Sequence, residues 1–464
     1  MSHFTMDRRD FLKAASTGAA ALSTTDLGVA LAEAATKGGV RKGRILKKGQ
    51  KLRLAAVGCG GKGQSDIMNS VAAGAEVVAL CDADFKRGLD VFKKFPDVPK
   101  YKDFRKMLLE MDDKIDAVTV STPDHMHFPA AMMAISMGKH VYVQKPLAHT
   151  IWEARTLTEA ARKHQVVTQM GNQGHAGEGI RLVREWIQSG GIGDVHEVHI
   201  WCNRPIWPQG NVDKGVAAPV PETLDWNAWL GVAPLRDYTE LPEKDRHGNS
   251  PYLPFKWRGW WDFGCGALGD MACHQMDAAF WALDLKYPIS VEAKSEELTA
   301  ETAPKRSQII YKFPKRGKMP PLTLYWYDGD NSNQVCPRPK GLEESRKMPS
   351  SGQYIIGEKN TIFDETDYCR SPRIIPESAM QAFKRPPKTI PRVPNGDPHL
   401  EWITACFGGP KPGSNFDYSG PFTEMVLLGN LAVRVGKKVM WDGKKLKADL
   451  PEAQKLVTKA YRVF

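Results

Sequence analysis

Two stretches carry side chains whose types and spacing suit proton transfer at a carbon bearing a hydroxyl group. Lys145 stands between Gln144 and Pro146, directly after the apolar run His140–Val143. An ammonium fixed there by the following proline can bond a substrate hydroxyl and steady negative charge developing on its oxygen. Farther along, Asp270 and His274 are four residues apart in GCGALGDMACHQMD (264–277). On a helix that spacing puts both on one face, where a carboxylate can orient an imidazole and raise its pKa. The glycines before Asp270 allow a ligand to come close. A loop lysine and a solvated helix face are the bland alternatives. Asp124, His125, His127, Asp270, His274 and Asp277 are also metal-ligand types, but no H-x-x-x-H pair or comparable spacing accompanies them, so no metal is expected.

These residues need a scaffold, and Leu52–Asp82 supplies its beginning. An apolar run (Leu52–Val57) ends in GCGGKG (58–63), a helix-like segment follows, and a second apolar run stops at Asp82. That is the strand, G-x-G-x-x-G turn, helix, strand and acid of a dinucleotide-binding unit. Gly58 makes the tight turn, Gly60 permits approach of a pyrophosphate, and Gly63 lets the helix pack on the sheet, with Gly61 beside them. The helix N-terminus offers free N–H groups to the phosphates. Asp82 lies 24 positions after Gly58, close to the expected spacing of about 20 for an acid that bonds the ribose hydroxyls. It should repel a 2′-phosphate, so NAD is expected over NADP.

The pattern continues through helices at 86–95 and 104–111, a strand at 117–120, a helix at 129–138, a strand at 140–143, a helix at 152–164 and a strand at 166–170. Strands alternating with helices predict an α/β Rossmann domain with a doubly wound parallel sheet, residues 52–172. From 173 to 464 the texture changes. A proline- and tryptophan-rich stretch (204–261) precedes strand-like segments at 289–293, 307–313, 322–327 and 354–357, with helices at 424–435 and 451–461. An α+β domain with an open, largely antiparallel sheet fits them. Trp201, Trp207, Trp226, Trp229, Trp257, Trp260 and Trp261 offer faces for sugar C–H groups, although tryptophan is more often core.

Composition excludes little beyond disorder: 42% of the 464 residues are hydrophobic and 25% charged. The net charge of +11 is concentrated in residues 36–51, which carry seven basic and no acidic side chains. They read as a solvated linker, and no nucleic acid is expected. Asp7-Arg8-Arg9-Asp10-Phe11-Leu12-Lys13, ahead of an alanine-rich run, reads as a twin-arginine signal over residues 1–35, giving an exported or periplasmic protein. No run is long and apolar enough for stable membrane insertion. The eight cysteines show no C-x-x-C spacing, and Cys59 and Cys81 read as buried thiols at strand ends.

The chain resembles the glucose–fructose oxidoreductase/inositol dehydrogenase (Gfo/Idh/MocA) family over nearly all of its length after the signal. The resemblance is carried by the GCGGKG turn, Ser121-Thr122-Pro123-Asp124-His125, Lys145-Pro146, and Asp270 with His274. LDWNAWLG (224–231), RGWWDFGCGALGD (258–270) and PKPGSNFDYSGP (410–421) place it nearest an exported branch related to NAD-dependent glycosidases. It implies that Thr122, Pro123, His125 and Lys145 border the NAD site, and that Lys145, Asp270 and His274 line the catalytic centre, with the histidine as acid/base. It further implies a carbohydrate substrate and a homo-oligomer paired through the sheet face. One position departs from the family's usual Glu-Lys-Pro: Gln144 replaces the glutamate, removing a charge that would favour the lysine's ammonium form.

An exported enzyme lacks an obvious pool of free NAD. That favours a reaction whose reducing equivalent returns within the site, as in elimination from a 3-keto-glycoside followed by hydration and reduction. A simple sugar or polyol dehydrogenase and a non-catalytic carbohydrate-binding protein are the alternatives.

Overall fold

A computed structural model describes residues 39–464. The twin-arginine stretch precedes residue 39 and lies outside the described residues.

Leu52–Val57 (β1) is apolar at almost every position because both its faces are covered, as in a central parallel strand. There follow α1 (Lys62–Ala72), β2 (Ala75–Cys81), α2 (Phe85–Lys94), β3 (Lys100–Tyr101), α3 (Phe104–Glu110), β4 (Ala117–Val120), α4 (His127–Ser136), β5 (His140–Val143), α5 (Ile151–His164) and β6 (Thr168–Met170). Local chemistry sets these boundaries. Asp84 caps α2 by accepting from Lys86 N, and Thr150 with Glu153 forms a reciprocal capping box on α5. The six strands pair in parallel in the order β3-β2-β1-β4-β5-β6. The order reverses between β1 and β4, so their carboxyl ends splay apart and leave a crevice.

The second half begins with α6 (Glu178–Gln188) and β7 (Val195–Cys202). It continues with a small ribbon, β8 (Val216–Ala217) and β9 (Thr239–Glu240), then α7 (Gly266–Gln275). Next come β10 (Ser290–Glu296), β11 (Arg306–Phe313), β12 (Leu322–Asp328), β13 (Gly352–Gly357), β14 (Thr361–Asp364) and β15 (Arg373–Ile375). Helices α8 (Pro398–Cys406) and α9 (Phe416–Val435) and strands β16 (Val439–Asp442) and β17 (Lys447–Ala448) complete it. Nine strands form one sheet, β15-β14-β13-β7-β12-β11-β10-β16-β17. Its neighbours run antiparallel except β7 and β12, which are parallel. Helix α9 packs against β10 and β11 and also against α5 and α7, joining the two halves.

Three differences from the sequence reading have physical causes. Helix α9 starts at Phe416, eight residues before the predicted 424. Gly420-Pro421 reads as a stop, yet buried Phe416, Phe422 and Met425 hold the turn despite the hydrogen bond that proline forfeits. Conversely, the predicted 451–461 helix ends at Lys455, after which Val457 O accepts from Trp152 N and the tail runs along α5. Finally, α8, far along the chain, closes the parallel sheet. Its Trp402, Ile403 and Cys406 pack on Leu46, Leu52, Leu54 and Tyr142.

The tryptophan-rich stretch is a strap across the crevice. Phe85 N donates to Thr223 O (3.0 Å) and Asp225 N to Ala83 O (2.8 Å), which pins the strap to the turn after β2. The strap's Trp229, Tyr252 and Trp260 form an aromatic cluster with Phe263, and Trp226 stacks on Trp229 at 4.9 Å.

Candidate active site

The crevice holds a cleft of about 950 Å³ lined by the glycine turn, the ends of β2, β4 and β5, the strap and α7. Its two ends have different chemistry.

At the nucleotide end, the backbone of Gly58 has φ +87°, and a Cβ there would stand 2.5 Å from Ser121 O. A Cβ at Gly63 would meet Gly58 O at 2.1 Å. Both positions therefore require glycine. Gly60 requires it for another reason than the sequence suggests: a Cβ would strike Arg87, at 2.4 Å from Cγ and 2.7 Å from its carbonyl oxygen. Gly61 is the N-cap of α1, which has no side-chain cap and no acid in its first turn, so its N–H groups are left for an anion. Asp82 accepts from Cys59 N (2.8 Å) and Asp84 N (3.0 Å), tying β2 to the turn. Burial pushes its carboxyl up despite these bonds.

Beneath the turn lies a residue that sequence reasoning missed. Asp66 of α1 is fully buried and accepts from Lys62 Nζ (2.7 Å), Ser121 Oγ (2.8 Å) and Gln144 Nε2 (2.8 Å). His399 Nε2 of α8 lies 3.2 Å away. Burial raises the Asp66 carboxyl, but His399 and Lys62 hold it below the ordinary value. This explains Gln144. Its amide donates to a buried carboxylate, where a glutamate would oppose a second charge at the same distance.

At the other end, Lys145 Nζ donates to both Asp270 O and Asp270 Oδ1, each at 2.8 Å. Arg258 Nε donates to the same Oδ1 at 2.9 Å. Burial alone would raise the Asp270 carboxyl; Lys145 and Arg258 overcome it and hold the group far below the usual range. The expected Asp270–His274 contact is therefore absent, because the carboxylate is taken by two cations. His274 meets Tyr368 edge to face at 4.8 Å instead. Its Nδ1 is buried without a partner among the described residues. Burial, and then Lys145, keep the imidazole well below its usual pKa and so neutral. Arg258 was present in the RGWWDFGCGALGD motif, but no spacing rule links it to Asp270, twelve residues on.

Between the ends, Thr122 and Pro123 line the cleft, and Thr122 Oγ1 is buried with no partner among the described residues. Asp124 Oδ2 accepts from Cys265 N (3.0 Å), joining β4 to the start of α7. Burial pushes its carboxyl up to about 7 against the pull of Lys145 and Arg258. His125 must be corrected: it does not line the cleft. It is fully buried, its Nδ1 and Nε2 lie 3.3 and 3.1 Å from the Phe263 and Trp229 carbonyls, and burial lowers it to about 3. It is a strut beneath the strap, with no ring edge free for a cofactor.

Of the tryptophans, Trp207, Trp229 and Trp257 reach the cleft wall, while Trp201 and Trp260 are core. All eight cysteines are buried and unbridged. Asp277, a ligand type, is enclosed by His175 (3.0 Å), Asn172 (2.9 Å) and Tyr418. Among the described residues no group of three His, Cys, Asp or Glu side chains is placed to hold a metal. No helix among them is long and apolar enough to cross a membrane.

A crevice at the strand-order reversal, three glycines that admit no Cβ, an uncapped helix N-terminus and an orphaned Thr122 hydroxyl together fit a dinucleotide. Comparisons with known proteins agree. Residues 52–172 match the oxidoreductase family with an NAD-binding Rossmann fold, and residues 200–332 match that family's C-terminal alpha/beta domain. A glycosyl hydrolase family 109 protein of Shewanella pealeana is 27% identical over 272 residues, 52% of this chain and 57% of that protein. Inositol 2-dehydrogenase of Burkholderia multivorans is 30% identical over 207 residues, 43% of this chain and 60% of that protein. The chain thus spans less than two thirds of these relatives' length. The Bordetella pertussis WlbA dehydrogenase, solved with NADH and UDP-GlcNAcA, superposes with a TM-score of 0.59 at 18% identity, covering 85% of this chain and 99% of that one. That likeness concerns the fold. With both domains matched, the chain belongs to the Gfo/Idh/MocA family of oxidoreductases, and its cofactor is NAD.

Proposed function

We propose that this protein oxidises a hydroxyl group of a sugar or glycoside with NAD held in the cleft, and that in a full cycle the substrate is re-reduced in place. The observation that carries it is one cleft joining the glycine turn to Lys145, Asp270, Arg258 and a neutral His274. When bound, the nicotinamide supplies reversible hydride transfer.

The protein's own groups do the rest. His274, neutral and free of hydrogen bonds among the described residues, is ready to take the hydroxyl proton. Lys145 has three N–H donors and spends two on Asp270, leaving one for the substrate oxygen. Asp270 balances only one of the two cations around it, so the cluster keeps a net positive charge facing an incipient oxyanion. Trp207, Trp257 and Tyr368 offer flat apolar faces for sugar C–H groups. Once a ketone forms, the neighbouring C–H is acidic. Asp124, with its carboxyl near 7, is the second group of the cleft able to carry a proton at neutral pH.

Export by the twin-arginine route is part of this reading. It rests on Arg8-Arg9 and the alanine-rich run, and it would carry the protein outward already folded around its cofactor. The glycosyl hydrolase and inositol dehydrogenase relatives support a carbohydrate substrate and leave both the redox-neutral and the simple dehydrogenase outcomes chemically open. Incubating purified protein with a glycoside panel and no added NAD separates them. Sustained release of aglycone is expected. Product that forms only with stoichiometric NAD+, while NADH accumulates, would sink the redox-neutral cycle and leave a dehydrogenase.

A further inference from the structure

Arg87 lies outside the glycine turn and the acid that the G-x-G-x-x-G motif assigns to the dinucleotide. It is in the first turn of α2, five residues after Asp82, exposed, and part of the cleft wall. Its side chain packs against the glycine turn. A Cβ on Gly60 would meet Arg87 Cγ at 2.4 Å and Cδ at 2.9 Å, and one on Gly61 would meet Nη2 at 2.6 Å. The stem of Arg87 therefore lies against Gly60 and its guanidinium against Gly61, the N-cap of α1.

An exposed arginine is ordinary, and most such residues only solvate a surface. Three observations set this one apart. Among the described residues its side chain has no hydrogen bond and no ion pair, while nearby acids are engaged elsewhere: Asp84 caps α2, and Asp82 binds Cys59 N and Asp84 N. The turn's other cation, Lys62, is committed to Asp66 at 2.7 Å. Arg87 also stands on a fixed base, because the strap is bonded to Ala83 and Phe85 on either side of the α2 N-cap. The strap faces it with His247, which stacks on Phe255 at 4.4 Å and also lines the cleft.

We propose that Arg87 is a clasp for the diphosphate of the bound dinucleotide, gripping it against the glycine turn from the outer side and setting how slowly it leaves. A diphosphate on the α1 N-terminus has that helix's N–H groups on one side and meets this guanidinium on the other. The fork geometry of arginine matches two phosphate oxygens at once, which an ammonium cannot do. The grip rests on dinucleotide binding at this turn, the cofactor half of the function proposed above, and is independent of the sugar chemistry.

The test is release of NADH from the purified full chain, followed by fluorescence during a chase with excess ADP-ribose and with no sugar present. Arg87→Ala is expected to release NADH about tenfold faster or more, the loss of a charge-assisted hydrogen bond. ADP-ribose affinity should fall by a similar factor, adenosine affinity should stay the same, and Arg87→Lys should be intermediate. Unchanged melting by circular dichroism separates loss of the clasp from loss of fold. NADH release in Arg87→Ala within twofold of wild type overturns the proposal. So does a loss confined to NADPH, which would make Arg87 a reader of the 2′-phosphate. A protein that retains NADH but oxidises no sugar refutes the proposed reaction and leaves this measurement standing.

Discussion

Both ends of the cleft are organised by an aspartate, but Asp66 is fully buried and Asp270 is only partly buried. Asp66 sits beneath the nucleotide turn with four donors converging on it from α1, β4, β5 and α8. Its side chain is entirely enclosed. Asp270 has two cations on a single oxygen and keeps 15% of its side chain exposed to the cleft. The first arrangement saturates its donors and fixes the cradle; the second leaves a lysine N–H and a neutral imidazole uncommitted. A satisfied polar cluster is a scaffold, whereas an unsatisfied one is a reagent.

The contrast can be broken most severely at the reactive end. Lys145→Met removes the ammonium N–H left over from Asp270 and leaves Asp270 to Arg258 alone. We expect kcat/KM for the preferred sugar to fall by about 10³-fold, with NADH affinity retained in a binding titration. A change below tenfold would mean that Lys145 only braces Asp270. His274→Ala should cost about 10²-fold or more. Because burial holds the imidazole well below its usual pKa, the acid limb of kcat/KM should lie below pH 6.5 in wild type and vanish in the variant. An acid limb that persists in His274→Ala would assign the base elsewhere.

At the scaffold end the expected effect is on stability. Gln144→Glu sets a second carboxyl 2.8 Å from Asp66, with a cost of about 1–3 kcal/mol once both ionise. Repulsion raises the new group's folded pKa above its unfolded value. The melting-temperature deficit against wild type should therefore be small near pH 4 and grow as pH rises through that folded pKa. A deficit independent of pH would show that packing, not charge, selects glutamine here.

The smallest effect sharpens the boundary between the ends. Asp124 is raised by burial to about 7, so its ionisation opposes folding. The stability associated with its neutral form is complete below the unfolded pKa and is lost as pH rises through 7. Asp124→Asn keeps an acceptor for Cys265 N. It should melt at a temperature close to wild type at pH 5 and higher than wild type at pH 8, by a margin on the order of 1 kcal/mol in stability. Equal melting at both values would place an unseen cation against Asp124.

Most of the first domain was legible because its elements are written locally. The apolar run of β1, the glycine turn and the capping residues act within a few positions of themselves, and β4 and β5 fall where the sequence put them. Lys145, Asp270 and His274, each carried by a short motif, line one cleft. What escaped depends on distant partners. Helix α8 covers Tyr142 from more than 250 residues away, and Asp66 looks like any polar helix residue until Gln144 and His399 arrive. His125 was misassigned because its motif resembles a binding loop, and only the tertiary structure reveals a ring fully buried between the Trp229 and Phe263 carbonyls.

The sequence by itself therefore determined the dinucleotide-binding unit, the class of both domains and the residues able to do chemistry, since periodicity, glycine sterics and side-chain type are local properties. Tertiary structure alone decided which of them are free to act. Hydrogen-bond saturation and burial depend on what the rest of the chain brings within 3 Å. That placed Asp270 on two cations, left His274 neutral, turned His125 into a strut and laid Arg87 over the glycine turn.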